Sequence, residues 1–252
     1  MESNKKYSTK YYWDNRFKEE ETYEWIANFE EFGNILLKYL KPDDKILHIG
    51  CGNSKLSQQL FDRGFKNITN LDFSSVIVEK GIINESHFSW TCDDITKLKT
   101  IPSKSFDIVL EKAVIESITT KEKSPWNYSK ETSNDLDNIF QSIQRVLKIG
   151  GKFISISFTQ PHFRIPHMLR YPFWDIVTDT FGTHFHFFIY VSTLGCKPSK
   201  EIFEKYENFL NRKTSDNLRL NNKEKSELKL NQIQNDKELK EDENSILQWL
   251  TL

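Results

Sequence analysis

The chain has 252 residues, of which 37% are hydrophobic and 28% are charged, and its formal net charge is -1. This length is enough for one sizeable domain with its own core, while the low apolar fraction indicates that a polar segment accompanies that domain. A nearly neutral chain has no strong overall field to attract nucleic acid or a membrane surface, so we expect direct binding to neither.

The three cysteines, Cys51, Cys92 and Cys196, form no Cys-x-x-Cys pair. So few cysteines argue against a disulfide framework and for a reducing compartment. The N-terminus lacks the apolar stretch of a secretory signal, and no apolar run reaches the roughly 18 residues that a membrane span needs. We therefore expect a cytoplasmic protein, with access to the nucleus left open.

Residues 1–10 are polar and are predicted to be flexible. Residues 11–17 and 23–25 then bring two tryptophans and several other aromatic side chains into a short span. These aromatic side chains need to be shielded from solvent. The segment is interpreted either as a helix packed on the domain surface or as a lid that closes over a ligand. Apolar residues recur at steps of three and four over residues 29–40, which predicts an amphipathic helix that ends at Pro42.

Residues 45–54 read Lys-Ile-Leu-His-Ile-Gly-Cys-Gly-Asn-Ser. A compact apolar run followed by two glycines and two capping residues predicts a buried strand, a tight turn and the start of a helix. Gly50 and Gly52 let the backbone approach a ligand, and the free amides of a helix start suit a polar or anionic group. This stretch predicts a site for a nucleotide-like cofactor.

Strand and helix patterns alternate along the chain after this loop. Strands are predicted at residues 67–72, 88–92, 105–112 and 152–158, and helices around residues 56–64, 74–78 and 136–147. Residues 117–134 are interpreted as a long irregular excursion, and Gly150-Gly151 is predicted to end the helix before the fifth strand. Regular alternation implies an α/β fold whose mainly parallel sheet is covered on both faces. Residues 173–191 predict an antiparallel hairpin around Gly182 at one sheet edge.

From residue 197 onwards Lys, Glu, Asn and Asp dominate the sequence. Because the segment has too few apolar positions for a core, residues 197–252 are predicted to be a charged, largely disordered tail, with a charged surface helix as the alternative. Residues 246–250 form an apolar patch that could dock on the domain or on a partner. The folded domain is then expected over residues 11–196, with residues 11–44 as its N-terminal lid and helix.

Three of the predicted strands end in acidic residues: Asp72, Asp93-Asp94 and Glu111. The carboxyl ends of strands in such a sheet face one crevice, where ligands bind. An acid some 20 residues beyond a glycine loop is shared by dinucleotide sites and S-adenosylmethionine (SAM) sites. This loop lacks the third glycine of the dinucleotide fingerprint, and acidic and aromatic surroundings suit a sulfonium cation. The sequence therefore favours SAM.

The chain resembles the class I, seven-strand SAM-dependent methyltransferases. More narrowly, it is similar to the eukaryotic group of elongation factor 1-alpha lysine methyltransferase 4, also known as the methyltransferase-like N-terminal part of endothelin-converting enzyme 2. The motifs that carry the resemblance are YWDNRF (12–17), IGCGNS (49–54), DFSSV (72–76), SFDIVLEK (105–112), GGKFIS (150–155), PHFR (161–164) and FHF (185–187). The resemblance implies a Rossmann-like fold with seven strands and helices on both faces. It also implies protein-lysine N-methylation, with elongation factor 1-alpha as the expected substrate and partner.

The resemblance further implies which residues contact SAM. Gly50 would pass close to the methionine portion. Asp72 would hold the ribose, with Phe73 beside the adenine. Asp94 and Ile95 would meet the adenine through the acid and a backbone amide.

The same resemblance places Trp13, Phe17 and Trp25 in an N-terminal lid over the cofactor, and Lys112 at its methionine end. The chain departs from the group at two places. Phe17 stands where the group often has tyrosine, and Ala-Val-Ile-Glu at residues 113–116 replaces Gly-Thr-Leu-Asp. The second departure concerns the acceptor side of the site.

A lysine acceptor, with a pKa of about 10.4, must lose a proton before it attacks the methyl group, and a partly apolar channel would lower that pKa. Glu111 could orient the amine, but it could equally bind the cofactor or cap local backbone, so no general base is assigned.

Four histidines could suggest a metal: His162, His167, His184 and His186. The last two would share a strand face, but no cysteine or acid cluster completes a tetrahedral set, so no metal is predicted.

Two other functions stay open at this point. The chain could methylate another protein or a small molecule, because the segment 113–116 differs from the group. It could also be a SAM-binding module without catalysis that uses the charged tail to bind partners. A monomer is expected.

Overall fold

The computed structural model describes residues 4–170 and 174–206. Its strands are β1 (Ile46–Ile49), β2 (Ile68–Asp72), β3 (Ser89–Cys92), β4 (Phe106–Lys112), β5 (Leu147–Ser157), β6 (Val177–Phe181) and β7 (Phe187–Thr193). Its helices are α1 (Lys10–Glu19), α2 (Phe29–Leu36), α3 (Leu56–Asp62), α4 (Ser75–Asn84), α5 (Val114–Thr119), α6 (Lys130–Val146) and α7 (Pro161–Met168). Short 3-10 helices span Asn4–Ser8 and Leu37–Tyr39.

The seven strands form one sheet in the order β3-β2-β1-β4-β5-β7-β6. Strands β1 to β5 pair in parallel, whereas β7 is antiparallel to β5 and β6 is antiparallel to β7. The predicted mainly parallel sheet with an antiparallel edge hairpin is confirmed. The strand order reverses between β1 and β4, so a ligand crevice is expected at the carboxyl ends of these two strands.

Helices cover both faces of the sheet. Phe32 of α2 belongs to the same buried cluster as Ile154 of β5. Phe140 of α6 contacts Phe153, with ring centroids 6.2 Å apart. Because successive strand residues point to opposite faces, Phe153 and Ile154 place α6 and α2 on opposite sides of β5.

The N-terminal segment differs from the prediction. Residues 4–8, expected to be flexible, form a 3-10 helix. The physical reason is the aromatic cluster, because the Tyr7 ring contacts Tyr12 at 5.1 Å and Trp25 at 5.6 Å between ring centroids.

The prediction of irregular structure over residues 117–134 is wrong at both ends of this segment. Helix α5 runs to Thr119, and α6 begins at Lys130 because Ser129 Oγ accepts a hydrogen bond from Thr132 N and so caps the helix. At its other end α6 stops at Val146, before Gly150-Gly151. Leu147 is already paired with β4, so strand pairing, not the glycines, ends the helix.

Part of the predicted tail is helical. Residues 200–206 form a helix, the alternative that the sequence analysis left open for this segment, and Tyr206 is buried. The remainder, including the apolar patch at residues 246–250, lies outside the described residues. Within the part of the chain that is described, no helix is both long and apolar enough to cross a membrane.

Candidate active site

A cavity of about 610 Å³ lies at the carboxyl ends of β1, β2 and β4. Its walls contain the glycine loop after β1, the end of β2, the loop after β3 and the end of β4. They include all nine residues expected to bind cofactor: Trp13, Phe17, Trp25, Gly50, Asp72, Phe73, Asp94, Ile95 and Lys112. The fold thus brings these residues together in one space.

The glycine loop has a conformation and a neighbour that exclude larger residues. Gly50 has φ +57° and Gly52 has φ +51°, the left-handed region that favours glycine. A Cβ atom on Gly50 would lie 2.5 Å from Val114 Cγ2 at the start of α5. The loop backbone can therefore lie against both α5 and a ligand.

Asp72 is a buried carboxylate at the end of β2. Its Oδ2 accepts a hydrogen bond from Gly52 N (3.0 Å) and its Oδ1 accepts one from Ser74 N (2.9 Å). Burial raises the pKa of Asp72 to about 6, against the opposing effect of these amide bonds. Each carboxylate oxygen keeps further acceptor capacity, which fits the two hydroxyl groups of a ribose.

The two acids after β3 have different roles. Asp93 Oδ2 accepts hydrogen bonds from Thr100 N and Oγ1, both at 2.7 Å, and so fixes the loop. Asp94 belongs to the cavity wall and accepts a bond from Thr96 N at 2.9 Å. Burial opposes ionisation of Asp94, but its bonds to Thr96 and Lys97 outweigh that effect and hold its pKa below the usual value.

The N-terminal aromatic residues both pack on the domain and line the cavity. The ring of Trp13 contacts Phe17 at 5.5 Å and Trp25 at 6.0 Å between centroids. Helix α1 is tied to the domain by Ser74 Oγ, which donates to Asp14 Oδ1 at 2.6 Å. The two interpretations of this segment, a surface helix and an aromatic cover over a cavity, are thus compatible.

Glu24 is a site residue that sequence reasoning missed. It lies in the strap, which we define as residues 20–25 between α1 and α2. Lys112 Nζ donates to Glu24 Oε2 at 2.6 Å and to Trp25 O at 2.9 Å. Ser54 Oγ and Lys55 N also donate to the Glu24 carboxylate, at 2.9 and 2.6 Å. One acid therefore joins the strap, the glycine loop and β4.

Lys112 keeps one ammonium hydrogen after these two bonds, because an ammonium group has three. Burial lowers the pKa of Lys112, and the neighbouring Glu24 carboxylate opposes that effect. The remaining hydrogen fits an anionic group such as the carboxylate of the SAM methionine.

His48 is a second missed residue, in the middle of β1 and in the cavity wall. Ser57 Oγ donates its single hydrogen to Asn70 Oδ1 (2.6 Å), so it accepts from His48 Nδ1 (2.9 Å). Burial chiefly, with a contribution from Lys112, lowers the pKa of His48 to about 3. The ring is neutral at physiological pH. The sequence of β1 has the pattern of an apolar strand, which does not indicate a hydrogen-bonded histidine in the cavity wall.

Glu111 is buried and does not line the main cavity. Its carboxylate accepts bonds from Ser155 Oγ and from Val114 N, the latter at 2.9 Å. Burial and the neighbouring Glu116 raise the pKa of Glu111 above its usual value, against the effect of Arg164. The geometry supports the interpretation of Glu111 as a residue that caps local backbone.

The histidines singled out by the sequence are dispersed. His162 and His167 stack on aromatic rings. His184 and His186 are exposed in the turn between β6 and β7, so the prediction that they share a strand face is wrong. Over residues 4–170 and 174–206, no group of three or more His, Cys, Asp or Glu side chains is arranged to hold a metal ion.

Comparison with known proteins identifies the family. The family model described as "Methyltransferase domain" matches residues 40–183. The chain is 38% identical over 201 residues to EEF1A lysine methyltransferase 4 of Mus musculus, covering 77% of this chain and 78% of that protein. It is also 34% identical over 166 residues to eEF1A lysine and N-terminal methyltransferase of Mus musculus, covering 64% of this chain and 23% of that protein.

Solved structures agree on the fold. The N-methyltransferase NodS from Bradyrhizobium japonicum, crystallised with S-adenosyl-L-homocysteine, has a TM-score of 0.51 at 14% identity over 74% of this chain and 98% of NodS. The glycopeptide N-methyltransferase MtfA, also with S-adenosyl-L-homocysteine, has a TM-score of 0.51 at 12% identity over the same shares of the two chains. The expected Rossmann-like fold and enzyme class, with SAM as the methyl donor, are confirmed. The chain therefore belongs to the methyltransferase-domain family, in the group of EEF1A lysine methyltransferase 4.

Proposed function

We propose that this protein transfers a methyl group from SAM to a lysine of elongation factor 1-alpha, and that the nine predicted residues in the cavity wall hold the cofactor. The observation that carries the proposal is the single cavity in which all nine meet at the carboxyl ends of the strands. The printed names of the relatives, EEF1A lysine methyltransferase 4 among them, support this acceptor.

The chain's polar groups fit the two ends of SAM. Asp72 would accept hydrogen bonds from the ribose hydroxyls, and Lys112 would donate its remaining hydrogen to the methionine carboxylate. The aromatic faces of Trp13 and Trp25 suit a positively charged sulfonium. When bound, SAM supplies an electrophilic methyl group.

The protein's part in the reaction is positioning and exclusion of water, because methyl transfer is an in-line attack on the methyl carbon. The acceptor lysine must be neutral when it attacks. A cavity walled by aromatic and apolar side chains disfavours the ammonium form by desolvation and so lowers the pKa of the acceptor.

We also propose that the enzyme works as a monomer in the cytoplasm, without direct contact with nucleic acid or membrane. Cys51, Cys92 and Cys196 are all free thiols, which is consistent with a reducing compartment.

A labelling experiment tests the function. The purified protein is incubated with methyl-labelled SAM and a eukaryotic lysate, and labelled proteins are identified by mass spectrometry. We expect label on one lysine of elongation factor 1-alpha. Asp72→Ala should abolish the label and SAM binding, while Asp62→Ala, at an exposed position on α3, should change neither.

Two outcomes would contradict the proposal in different ways. Label on another protein or on a small molecule, with none on elongation factor 1-alpha, would overturn the acceptor. SAM binding in calorimetry without transfer to any acceptor would overturn catalysis and support a binding module.

A further inference from the structure

We propose that Glu116 binds the acceptor: its Oε2 accepts a hydrogen bond from the primary amine of the incoming aliphatic side chain. The inference rests on the proposed function and names the group that would hold the acceptor in the same cavity.

Glu116 carries a carboxylate of which only one oxygen is used. Its side chain is 4% exposed, yet the residue is part of the wall of the main cavity. Oε1 accepts hydrogen bonds from Arg164 Nη2, from Ser157 Oγ and, at 2.8 Å, from Thr159 Oγ1. Oε2 is buried and has no partner among the described residues. A buried carboxylate oxygen without a donor is costly, so this atom is suited to a ligand that brings N–H groups.

The charges around Glu116 favour a cation. Glu111 and Glu116 are two buried carboxylates, and Arg164 is the guanidinium that interacts with both. When both acids are ionised, this trio lacks one positive charge. The raised pKa of Glu111 is consistent with that deficit. An acceptor that arrives as a primary ammonium would compensate it on binding and would lose its proton to solvent before the attack, whereas an acceptor without a cationic group would not compensate it.

The order of the strands assigns the two substrates to different sides of the cavity. The residues expected to hold the nucleoside are Asp72, the last residue of β2, and Asp94 and Ile95, which follow β3. Glu116 follows β4, and Phe158 follows β5, on the other side of β1. Phe158 lines the cavity and is 53% exposed, so it marks a place where the cavity reaches solvent. The β4–β5 side is thereby left for an acceptor that enters past Phe158.

The nearest competing explanation is that Glu116 serves only to pair Arg164. That pairing accounts for Oε1, but it leaves Oε2 and Arg164 Nε, both buried, without a partner among the described residues. The two explanations differ in what they expect of acceptor kinetics, because a purely structural pair does not contact the acceptor.

The experiment compares Glu116→Gln with Glu79→Gln. Glu79 is an exposed acid on α4 that does not line the cavity. Steady-state methylation of elongation factor 1-alpha is measured with each variant, and SAM affinity is measured by calorimetry. We expect Glu116→Gln to lower kcat/KM for the acceptor at least about tenfold through KM, with SAM affinity within about twofold of wild type. Glu79→Gln should keep both values. A wild-type kcat/KM for the acceptor in folded Glu116→Gln would overturn the inference.

A second measurement uses only the wild-type protein, in case Glu116→Gln does not fold. Thermal melting is followed with S-adenosyl-L-homocysteine present and with n-butylammonium or n-butanol added at equal concentrations. We expect the cation, and not the alcohol, to raise the melting temperature. Equal shifts for both probes would overturn the inference. This melt requires no methyl transfer, so its failure is distinguishable from failure of the proposed function.

Discussion

Asp72 is the residue whose ionisation we expect to govern cofactor affinity. Its pKa is raised to about 6 by burial, so the carboxylate is protonated in an increasing fraction of molecules as the pH falls below 6. Protonation turns one carboxyl oxygen into a donor and weakens it as an acceptor for a ribose hydroxyl. SAM affinity should therefore be constant above pH 7 and should fall by about tenfold per pH unit well below pH 6.

Calorimetry between pH 5 and pH 8 measures this dependence, with circular dichroism to verify that the protein stays folded. Asp72→Asn is the matched control, because an amide has a similar shape and does not titrate in this range. It should bind SAM weakly and without pH dependence. A wild-type affinity that is the same at pH 5 and pH 8 would refute the assignment of Asp72 to the ribose.

Ala113 has a backbone conformation that glycine adopts more easily. It precedes α5 with φ 65° and ψ 11°, in the left-handed region. An L-residue there costs about 1–2 kcal/mol, and glycine costs about 0.5–1 kcal/mol in unfolded-chain entropy. We expect Ala113→Gly to raise the free energy of unfolding by up to about 1 kcal/mol.

Urea denaturation of both alanine variants checks this. Ala27, which is buried and has no positive φ, provides the control. Ala27→Gly should lower the free energy of unfolding by about 0.4–1 kcal/mol. If Ala113→Gly destabilised the protein as much as Ala27→Gly, strain at Ala113 would be excluded.

At the scale of elements, the Glu24 carboxylate joins the strap to both the glycine loop and β4, in addition to the bond that Asn53 Nδ2 donates to Glu20 Oε2 at 3.0 Å. Glu24 binds Lys112, Ser54 and Lys55, and its side chain is 18% exposed in the ion pair. Glu24→Ala leaves the buried Lys112 ammonium without its anion. We expect a loss of about 2–3 kcal/mol in the free energy of unfolding, less than the 3–5 kcal/mol of a fully buried pair, together with weaker SAM binding.

Denaturation and calorimetry of Glu24→Ala measure these losses. Glu21→Ala changes an exposed acid of the same strap and should leave both quantities near wild type. Equal behaviour of the two variants would mean that the strap is not held through Glu24.

The elements that sequence reasoning located correctly are those with a local pattern. Strand β1 and its glycine loop are contiguous in sequence, and so is each acid at a strand end. The start of α6 was missed although its capping residue, Ser129, is local, because the first turn carries no apolar periodicity. The pairing of Leu147 with β4 depends on contacts across the sheet and leaves no local sign.

The same distinction applies to the site. Six of its nine expected residues lie in the motifs that carry the family resemblance, and the other three, Trp25, Asp94 and Ile95, lie in the aromatic N-terminal segment or directly after a predicted strand. The ion pair between Glu24 and Lys112 joins positions 88 residues apart, and nothing at either position indicates the other. The contact of Glu116 with Arg164 likewise joins α5 to α7 only after the chain has formed β5. Such contacts arise from tertiary packing, and the spacing of the residues along the sequence does not predict them.

At the scale of the whole molecule, the strand order places two groups of cavity residues on opposite sides of β1. The ends of strands β2 and β3 supply Asp72, Asp94 and Ile95, the groups suited to a nucleoside. Strands β4 and β5 with α5 and α7 supply the buried charges of Glu116 and Arg164. The glycine loop after β1, between the two halves, contacts both, because Gly52 donates to Asp72 and Gly50 packs against Val114. This is the point at which donor and acceptor would have to meet.

The C-terminal end of the folded domain extends beyond residue 196. Residues 200–206 are helical and Tyr206 is buried. Burial raises the pKa of the Tyr190 hydroxyl of β7, with smaller contributions from Glu116 and then from Tyr206, which is close enough to be felt there. A chain that ends at residue 196 exposes the surface that Tyr206 covers. Burial of a large apolar side chain contributes about 1.5–3 kcal/mol, so residues 1–196 should be less stable than residues 1–206 by about that amount.

Thermal and urea denaturation of the two truncated proteins measure the difference. Tyr206→Ala in residues 1–206 should reproduce most of it, because we attribute the loss to that one side chain. Equal stability of the two truncated proteins would return the domain boundary to residue 196.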